Sequence, residues 1–332
     1  MQVTWAGSPD RVEARLAPEA GYPFDSFRIS GFPRRPGLPL LYALGRAAMA
    51  PLACLRILAA RRPDVVLGGG GYVAGPMVMA AALRRIPAAL TESDAHLGLA
   101  NRLALPFARR LFLALPVDGV SGSKVRVTGR PVPARSRPVD PAAARELFGL
   151  PAEGPVLLVF GGGQGARALN ELVVAEFGGA ESGGRAGGGG HGPAVLHLCG
   201  ERDYAALEPR VARAGYRLVA FTNDFGAALS ASDLVVARSG GSVWEVAAAG
   251  KPAIFVPFPF ATGDHPTKNA RHFEAGGGAV IVPQPELERV PPLIRELLGD
   301  PGRLAAMRAA MLVLARPQAA DEIARELIAL AR

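Results

Sequence analysis

Short apolar runs recur along the chain, and most end at a glycine turn that opens a stretch of helical period. Residues 64–67 form one such run, closed by Gly68-Gly69-Gly70-Gly71 and followed by a helical pattern over 76–83. Strand patterns follow at 88–90, 111–115 and 125–127. A second series opens with the run 156–160, the loop Gly161-Gly162-Gly163-Gln164-Gly165 and a helix from Ala166. Runs at 195–198, 218–221, 234–237 and 253–256 continue it. Strands that alternate with helices predict parallel sheets covered on both faces. The fold class expected is therefore α/β, with two Rossmann-like domains facing a central cleft. Residues 1–133 and 134–320 are the expected domains, and the proline-marked stretch 134–141 reads as the linker. Residues 321–332 read as an amphipathic helix that packs back on the first domain. Ligands of such sheets sit beyond the carboxyl ends of the strands, where these glycine loops lie.

Composition narrows the picture. A chain of 332 residues, 49% hydrophobic, suits two ordinary domains with real cores. Cys54 and Cys199 are the only cysteines, so neither a disulfide framework nor a metal spacing is present and a reducing compartment is expected. The opening residues lack the pattern of a signal peptide. The most apolar stretch, 38–60, carries Arg46, Arg56 and Pro51, and reads as a surface helix or pair of helices. Residues 1–133 hold 17 Lys and Arg against 8 Asp and Glu, whereas residues 134–332 hold 20 against 21. A basic half beside an apolar helix suits an anionic membrane surface. No nucleic-acid motif or interleaved aromatic pattern accompanies the charge, so nucleic acid is not expected as a partner. The glycine-rich stretch 178–193 is low-complexity, and His191 within it is incidental.

The most informative segment is 233–260, DLVVARSGGSVWEVAAAGKPAIFVPFPF. It reads as strand, glycine turn, short helix, glycine stop and strand. Such a turn can present backbone N–H groups to phosphate. Glu245, one turn into the helix, can accept from two neighbouring hydroxyls, as a ribose offers. A capping box explains Ser242-Val243-Trp244-Glu245 equally well from the local pattern. Among other polar residues, Asp94 and His96 follow a strand end and are the candidates for a catalytic base, with helix capping the alternative for Asp94. His265 is loop-borne and is placed either at a sugar or on the bare surface. His197 lies in an apolar strand and reads as a core residue, and Trp244 reads as packing.

With these loops placed, the chain resembles the MurG family of inverting glycosyltransferases. The resemblance runs over essentially the whole chain, in order. It rests on 28–31, RISG; on Pro63-Asp64-Val65-Val66-Leu67-Gly68 leading into Gly70-Gly71-Tyr72-Val73-Ala74-Gly75-Pro76; and on Glu92 with Asn101 downstream. It continues through Gly161 to Ala166, Arg238-Ser239-Gly240, and Val256-Pro257-Phe258 followed by Asn269-Ala270. The resemblance implies a GT-B fold and transfer of GlcNAc from UDP-GlcNAc to lipid I, giving lipid II for peptidoglycan. It implies that Glu245 holds the ribose, that the Gly240-Gly241-Ser242 turn holds the diphosphate, and that Ser239 before it belongs to the donor site. Gly162, Gly163, Gln164 and Gly165 would lie over the nucleotide-sugar, with Thr222 at uracil and His265 at the sugar. Gly70, Gly71, Tyr72, Asp94 and Asn101 would meet the acceptor. The apolar stretch 38–58, flanked by Arg34, Arg35, Arg61 and Arg62, would dock on the cytoplasmic face of the cell membrane. No Asp-x-Asp motif occurs, so no metal cofactor is expected, and helix N-termini and backbone N–H groups would stabilise the leaving UDP.

The chain also departs from the family pattern. The family opens with a strand and a GGTGGH loop, whose His is the proposed base. Here Gln2 to Gly7 matches the family's second strand, so an N-terminal strand is expected to be missing ahead of Met1. Gly163 stands where Ser is usual. Arg130-Pro131-Val132-Pro133 replaces Asn-Pro-Val-Arg, which leaves Arg130 or Arg135 as the substitute phosphate cation. His265-Pro266 replaces a glutamine pair that recognises the sugar. The rival readings are another GT-B enzyme, such as a glycolipid glycosyltransferase or a UDP-GlcNAc 2-epimerase, and a non-catalytic nucleotide-binding remnant. An NAD dehydrogenase is not expected, because the chain lacks a G-x-G-x-x-G opening with the later acidic residue.

Overall fold

A computed structural model describes residues 2–29, 37–162, 166–180 and 192–332. The chain divides into two compact units, residues 1–128 with 321–332 and residues 129–320. All strand pairing is parallel among the described residues. In the first unit β1 (Trp5–Gly7) pairs with β2 (Phe24–Ser26) as a separate ribbon. A four-stranded sheet runs β3 (Val66–Gly68), β4 (Ala88–Glu92), β5 (Arg110–Leu113), β6 (Val125–Val127). Its core is closed by the helix Gly71–Leu83, which is apolar on every side and buries Ala74, Met77, Val78 and Ala81. The helix Leu38–Arg61 continues through Pro51 as one element and buries Ala50, Cys54 and Leu58. Met49 and Leu52 on the same helix are exposed. From the C-terminal helix Ala319–Leu330, Ile323, Leu327 and Leu330 pack against Ala89 and Phe112, and Glu326 pairs with Arg110 at 3.0 Å.

The second unit holds a six-stranded sheet in the order β12-β11-β10-β7-β8-β9. Its strands are β7 (Val156–Phe160), β8 (Ala194–Leu198), β9 (Tyr216–Val219), β10 (Leu234–Ala237), β11 (Ala253–Phe255) and β12 (Ala279–Ile281). Every residue of β7, β8, β10 and β11 is buried, which is why their sequences, His197 of β8 apart, run apolar without alternation. The order reverses between β7 and β10, and a crevice at the carboxyl ends there is where doubly wound sheets bind ligands.

Three expectations shift, the first being the run at 64–67, whose strand lies at Val66–Gly68. The strand read at 218–221 lies at Tyr216–Val219, and Phe221 is exposed beyond it. A polar pair opens this strand, and only the tertiary structure shows that Tyr216 is buried with its hydroxyl on His197. The stretch 134–141 is docked rather than a loose tether. Its backbone packs on Gly226 of the helix Phe225–Ala231, where a Cβ would stand 2.2 Å from the Arg137 carbonyl oxygen. Val139 N–H donates to Ser230 Oγ at 2.9 Å, and Asp140 caps the next helix through Ala143 N–H.

The far end of Phe225–Ala231 is closed by Lys251, one of three lysines in the chain. Its buried ammonium donates to the carbonyls of Ser230 and Ser232, at 3.2 and 2.6 Å. Burial, with Arg308 and Arg145 nearby and Asp233 opposing them, pushes its pKa down to about 8. Between that value and about 10.4 the unfolded chain holds a proton that the native state has released. Native stability therefore rises with pH across this window. Relative to Lys251→Met, the wild type should gain on the order of 2 kcal/mol between pH 7.5 and 10.5. Urea titrations of both proteins at the two pH values measure the difference.

Candidate functional site

In the second unit, an open cleft of about 560 Å³ lies at the carboxyl ends of the central strands. Gly161, Arg238, Ser239 and Gly240, which follow β7 and β10, form part of its wall. Phe258, Ala261, His265 and Pro266 contribute from the segment after β11, and Gln284 from beyond β12. Arg167 and Arg202 add two more guanidinium groups. The cleft is thus cationic and suited to an anion such as a diphosphate.

The cations are positioned by different means. Arg238 is half-buried, and desolvation lowers its pKa. It donates to the carbonyls of Val256 and Pro257, both at 3.1 Å, and to Gln284 Oε1. Arg202 pairs with Asp203, which is 6% exposed. Asn170 Nδ2 donates to the same carboxylate at 2.9 Å and to the Cys199 carbonyl at 2.8 Å. Asn170 Oδ1 must then accept from His197 Nε2 at 3.0 Å, which leaves His197 Nδ1 to accept from the Tyr216 hydroxyl at 2.6 Å. Burial drives the His197 pKa down to about 3, against a weaker pull from Asp203, so the imidazole stays neutral. His197 is a fully buried, fully bonded core residue, and Trp244 packs edge-on against Phe273.

The glycine turn after β10 folds back on itself, with Val243 N–H on the Gly240 carbonyl and Trp244 N–H on that of Gly241. Ser239 is fully buried, and its hydroxyl has no hydrogen-bond partner among the described residues. Arg130 lies directly against Gly241: a Cβ there would fall 1.5 Å from Arg130 Nη1. No carboxylate pairs with Arg130 among the described residues. Glycine at 241 is what admits this guanidinium to the turn.

The capping-box alternative does not form. Ser242 precedes the helix Val243–Ala248 without a side-chain cap bond, and Glu245 does not turn back to it. Instead Glu245 Oε1 accepts from the Ser136 hydroxyl at 2.5 Å. Ser136 is fully buried in the segment packed on Gly226. Glu245 is thereby brought near the start of Phe225–Ala231, just past Thr222, whose Oγ1 accepts from Asp224 N–H at 3.0 Å. Ser136 was not legible in sequence, because it lies in a stretch with linker composition. Arg202 and Gln284 had no local signal either, and Phe258 stood in a family motif without a role assigned to it. Gly162 adopts φ +85°, open to solvent, while Gly163, Gln164, Gly165, His191, Arg34 and Arg35 lie outside the described residues.

The predicted acceptor residues lie in the first unit. Gly70 and Gly71 take φ of +91° and +67° at the start of Gly71–Leu83, beside the end of β4. The Tyr72 hydroxyl accepts from Arg11 Nε at 2.8 Å, and the Arg11 guanidinium lies 5.7 Å from the ring centre. Glu92 organises the loop that carries Asp94 and His96. Its carboxylate accepts from the N–H groups of Ser93 and Gly98 and from Asn101 Nδ2, each at 3.0 Å. Asn101 is 2% exposed and also donates to the Thr91 carbonyl, so the structure gives it a bracing position inside the loop rather than a surface one. Asp94 and His96 are half-buried. No group of three or more His, Cys, Asp or Glu side chains able to hold a metal is present among the described residues.

Comparison with known proteins bears on both units. The family model for the glycosyltransferase family 28 N-terminal domain matches residues 1–113, and that for the C-terminal domain matches 156–323. The chain is 38% identical to a UDP-N-acetylglucosamine–N-acetylmuramyl-(pentapeptide) pyrophosphoryl-undecaprenol N-acetylglucosamine transferase of Salinibacter ruber, over 99% of this chain and 89% of that protein. It is 39% identical to the protein of the same name from Halorhodospira halophila, over 97% and 88%. The crystal structure of Acinetobacter baumannii MurG superposes with a TM-score of 0.76 at 28% identity, covering 98% of this chain and 90% of that one. The UDP-GlcNAc 2-epimerase of Neisseria meningitidis, at 14% identity and a TM-score of 0.63, shares the fold.

Proposed function

From the premise that the chain belongs to glycosyltransferase family 28 and, within it, to the MurG family, we propose that it moves GlcNAc from UDP-GlcNAc to the MurNAc 4-hydroxyl of lipid I. The transfer inverts the anomeric centre and gives lipid II for peptidoglycan. The observation that carries the reading is local to the second unit. A cationic cleft lies at the β7/β10 switch point, the turn after β10 seats Arg130 against Gly241, and Glu245 stands on the helix that this turn opens.

Each group has a role in this reading. Glu245, oriented by Ser136, accepts from the ribose hydroxyls through its remaining lone pairs. Thr222 lies at the uracil. Arg130, at the Gly240-Gly241-Ser242 turn, and Arg238 face the diphosphate and stabilise the charge that grows on the departing UDP. Arg130 thus does the work that the family gives to the residue at Pro133. His265 and Gln284 meet the sugar hydroxyls. The acceptor oxygen attacks C1 opposite UDP as the C1–O bond breaks, and its proton passes to a base. Asp94 and His96 are the candidates for that base, and Gly70, Gly71 and Tyr72 for the acceptor pyrophosphate.

No described helix is long and apolar enough to cross a membrane. The basic first half and the exposed Met49 and Leu52 support peripheral binding at the cytoplasmic face of the cell membrane, and with it a part in cell-wall growth and division. The test is direct. Purified protein with UDP-GlcNAc and a lipid I analogue should release UDP and form a β-linked disaccharide. Epimerisation of UDP-GlcNAc at C2 without any lipid would replace this reading by the epimerase one. Absence of UDP-GlcNAc binding would end both.

A further inference from the structure

The cleft has an apolar rim that none of the roles above uses. Phe260 is 80% exposed and Phe258 47% exposed, on the segment after β11. Their rings meet edge to face, with centroids 5.7 Å apart at 76°. Phe258 lines the cleft. The Arg238 guanidinium lies 5.7 Å from its ring centre and is itself tied to the Val256 and Pro257 carbonyls, which steadies the ring. The segment then turns sharply through Gly263 and Asp264, at φ of +66° and +53°. Asp264 Oδ1 accepts from the Thr267 hydroxyl at 2.6 Å, which secures the turn. A non-glycine residue in the left-handed region persists where surrounding structure holds it, and such residues cluster at ligand clamps.

We infer that Phe258 and Phe260 form a stacking shelf for the apolar face of a hexopyranose ring bound at the mouth of the cleft. The inference rests on the reading of this cleft as a nucleotide-sugar site. A pyranose presents C–H groups on one face and hydroxyls around its edge, which suits an aromatic shelf flanked by polar groups. His265 and Gln284 line the same cleft and supply those groups. The nucleoside end is not the match. Glu245 and Thr222 lie toward Phe225–Ala231, after β9 and β10, whereas the shelf follows β11 on the far side of β10. A nucleotide-sugar laid along the carboxyl ends of the strands, with its base toward β9, brings its sugar toward the shelf.

Phe260 projects into solvent, so truncating it leaves the core intact. Calorimetry with UDP and with UDP-GlcNAc, and kinetics with a lipid I analogue, should be run on wild type, Phe260→Ala and Phe260→Trp. Phe260→Ala should bind UDP as the wild type does, while UDP-GlcNAc affinity or acceptor KM worsens about threefold to tenfold. Phe260→Trp should restore it. A loss with UDP-GlcNAc assigns the donor ring, and a loss confined to acceptor KM assigns the acceptor ring. The inference is overturned if Phe260→Ala leaves all three quantities unchanged, or if UDP binding weakens as much as UDP-GlcNAc binding. Failure of the wild type to bind UDP-GlcNAc would instead remove the nucleotide-sugar reading and the shelf with it.

Discussion

Replacing Glu245 by alanine is expected to weaken UDP binding about 100-fold. Two charge-assisted bonds to ribose hydroxyls, each worth roughly 1.5 kcal/mol net, give about that factor. The substitution also leaves the buried Ser136 hydroxyl without its acceptor, so a modest loss of stability should accompany it. Ser136→Ala separates the two effects. It removes the buried donor together with its need for a partner, keeps the carboxylate, and should cost less than about tenfold in UDP affinity. Glu245→Gln keeps an acceptor for Ser136 and loses the charge, so it should fall between the other two. Isothermal titration with UDP measures all three. Unchanged affinity in Glu245→Ala would sink the ribose assignment while leaving the fold untouched.

The second large effect is expected at Gly226→Ala, a residue given no contact of its own with the nucleotide. The added Cβ would stand 2.2 Å from the Arg137 carbonyl oxygen, 2.9 Å from that of Arg135 and 3.0 Å from the Ser136 carbonyl carbon. All three atoms are backbone, so no side-chain rotation relieves the overlap. Either the helix Phe225–Ala231 or the segment 135–137 must move. Overpacking of this kind costs about 3 kcal/mol, or roughly 6–12 °C in the melting of a unit this size. The same displacement draws Ser136 away from Glu245, so UDP affinity should fall in the protein that remains folded. Circular dichroism melts and UDP titration of one preparation test both halves. A melting point within about 2 °C of wild type would show that the segment gives way freely. Normal UDP affinity with a lowered melting point would show that Ser136 does not orient Glu245.

Glu245 and Ser136 differ in how far the sequence reveals them. Glu245 is legible as a candidate because it stands at a fixed offset from a glycine turn between two continuous apolar runs. Ser136 is not, because nothing in its neighbours distinguishes a docked segment from a tether. The difference is made by a glycine ninety residues downstream, whose missing Cβ admits the backbone. Arg130 stands between these cases. Its position beside a family motif suggested a substitute cation, and the approach to Gly241 gives that suggestion a physical basis. The strands at 156–160 and 234–237 were read to the residue because burial on both faces requires uninterrupted apolar sequence. The strand Tyr216–Val219 was misplaced because its polar opening is paid for by a buried hydrogen bond to His197.

By itself, then, the sequence determined the parallel α/β architecture, its two series of strands, and the glycine loops at their carboxyl ends. Those features follow from local rules, since strand burial dictates composition and turns dictate glycine. Only the tertiary structure decided which polar side chains share a site. It sent Glu245 to Ser136 rather than to a helix cap, set Asn101 inside its loop, and gathered Arg238, Phe258 and Gln284 around one cleft from segments after three different strands. Contacts of that kind depend on strand order, and strand order is set by packing across the sheet, which no local window of residues records.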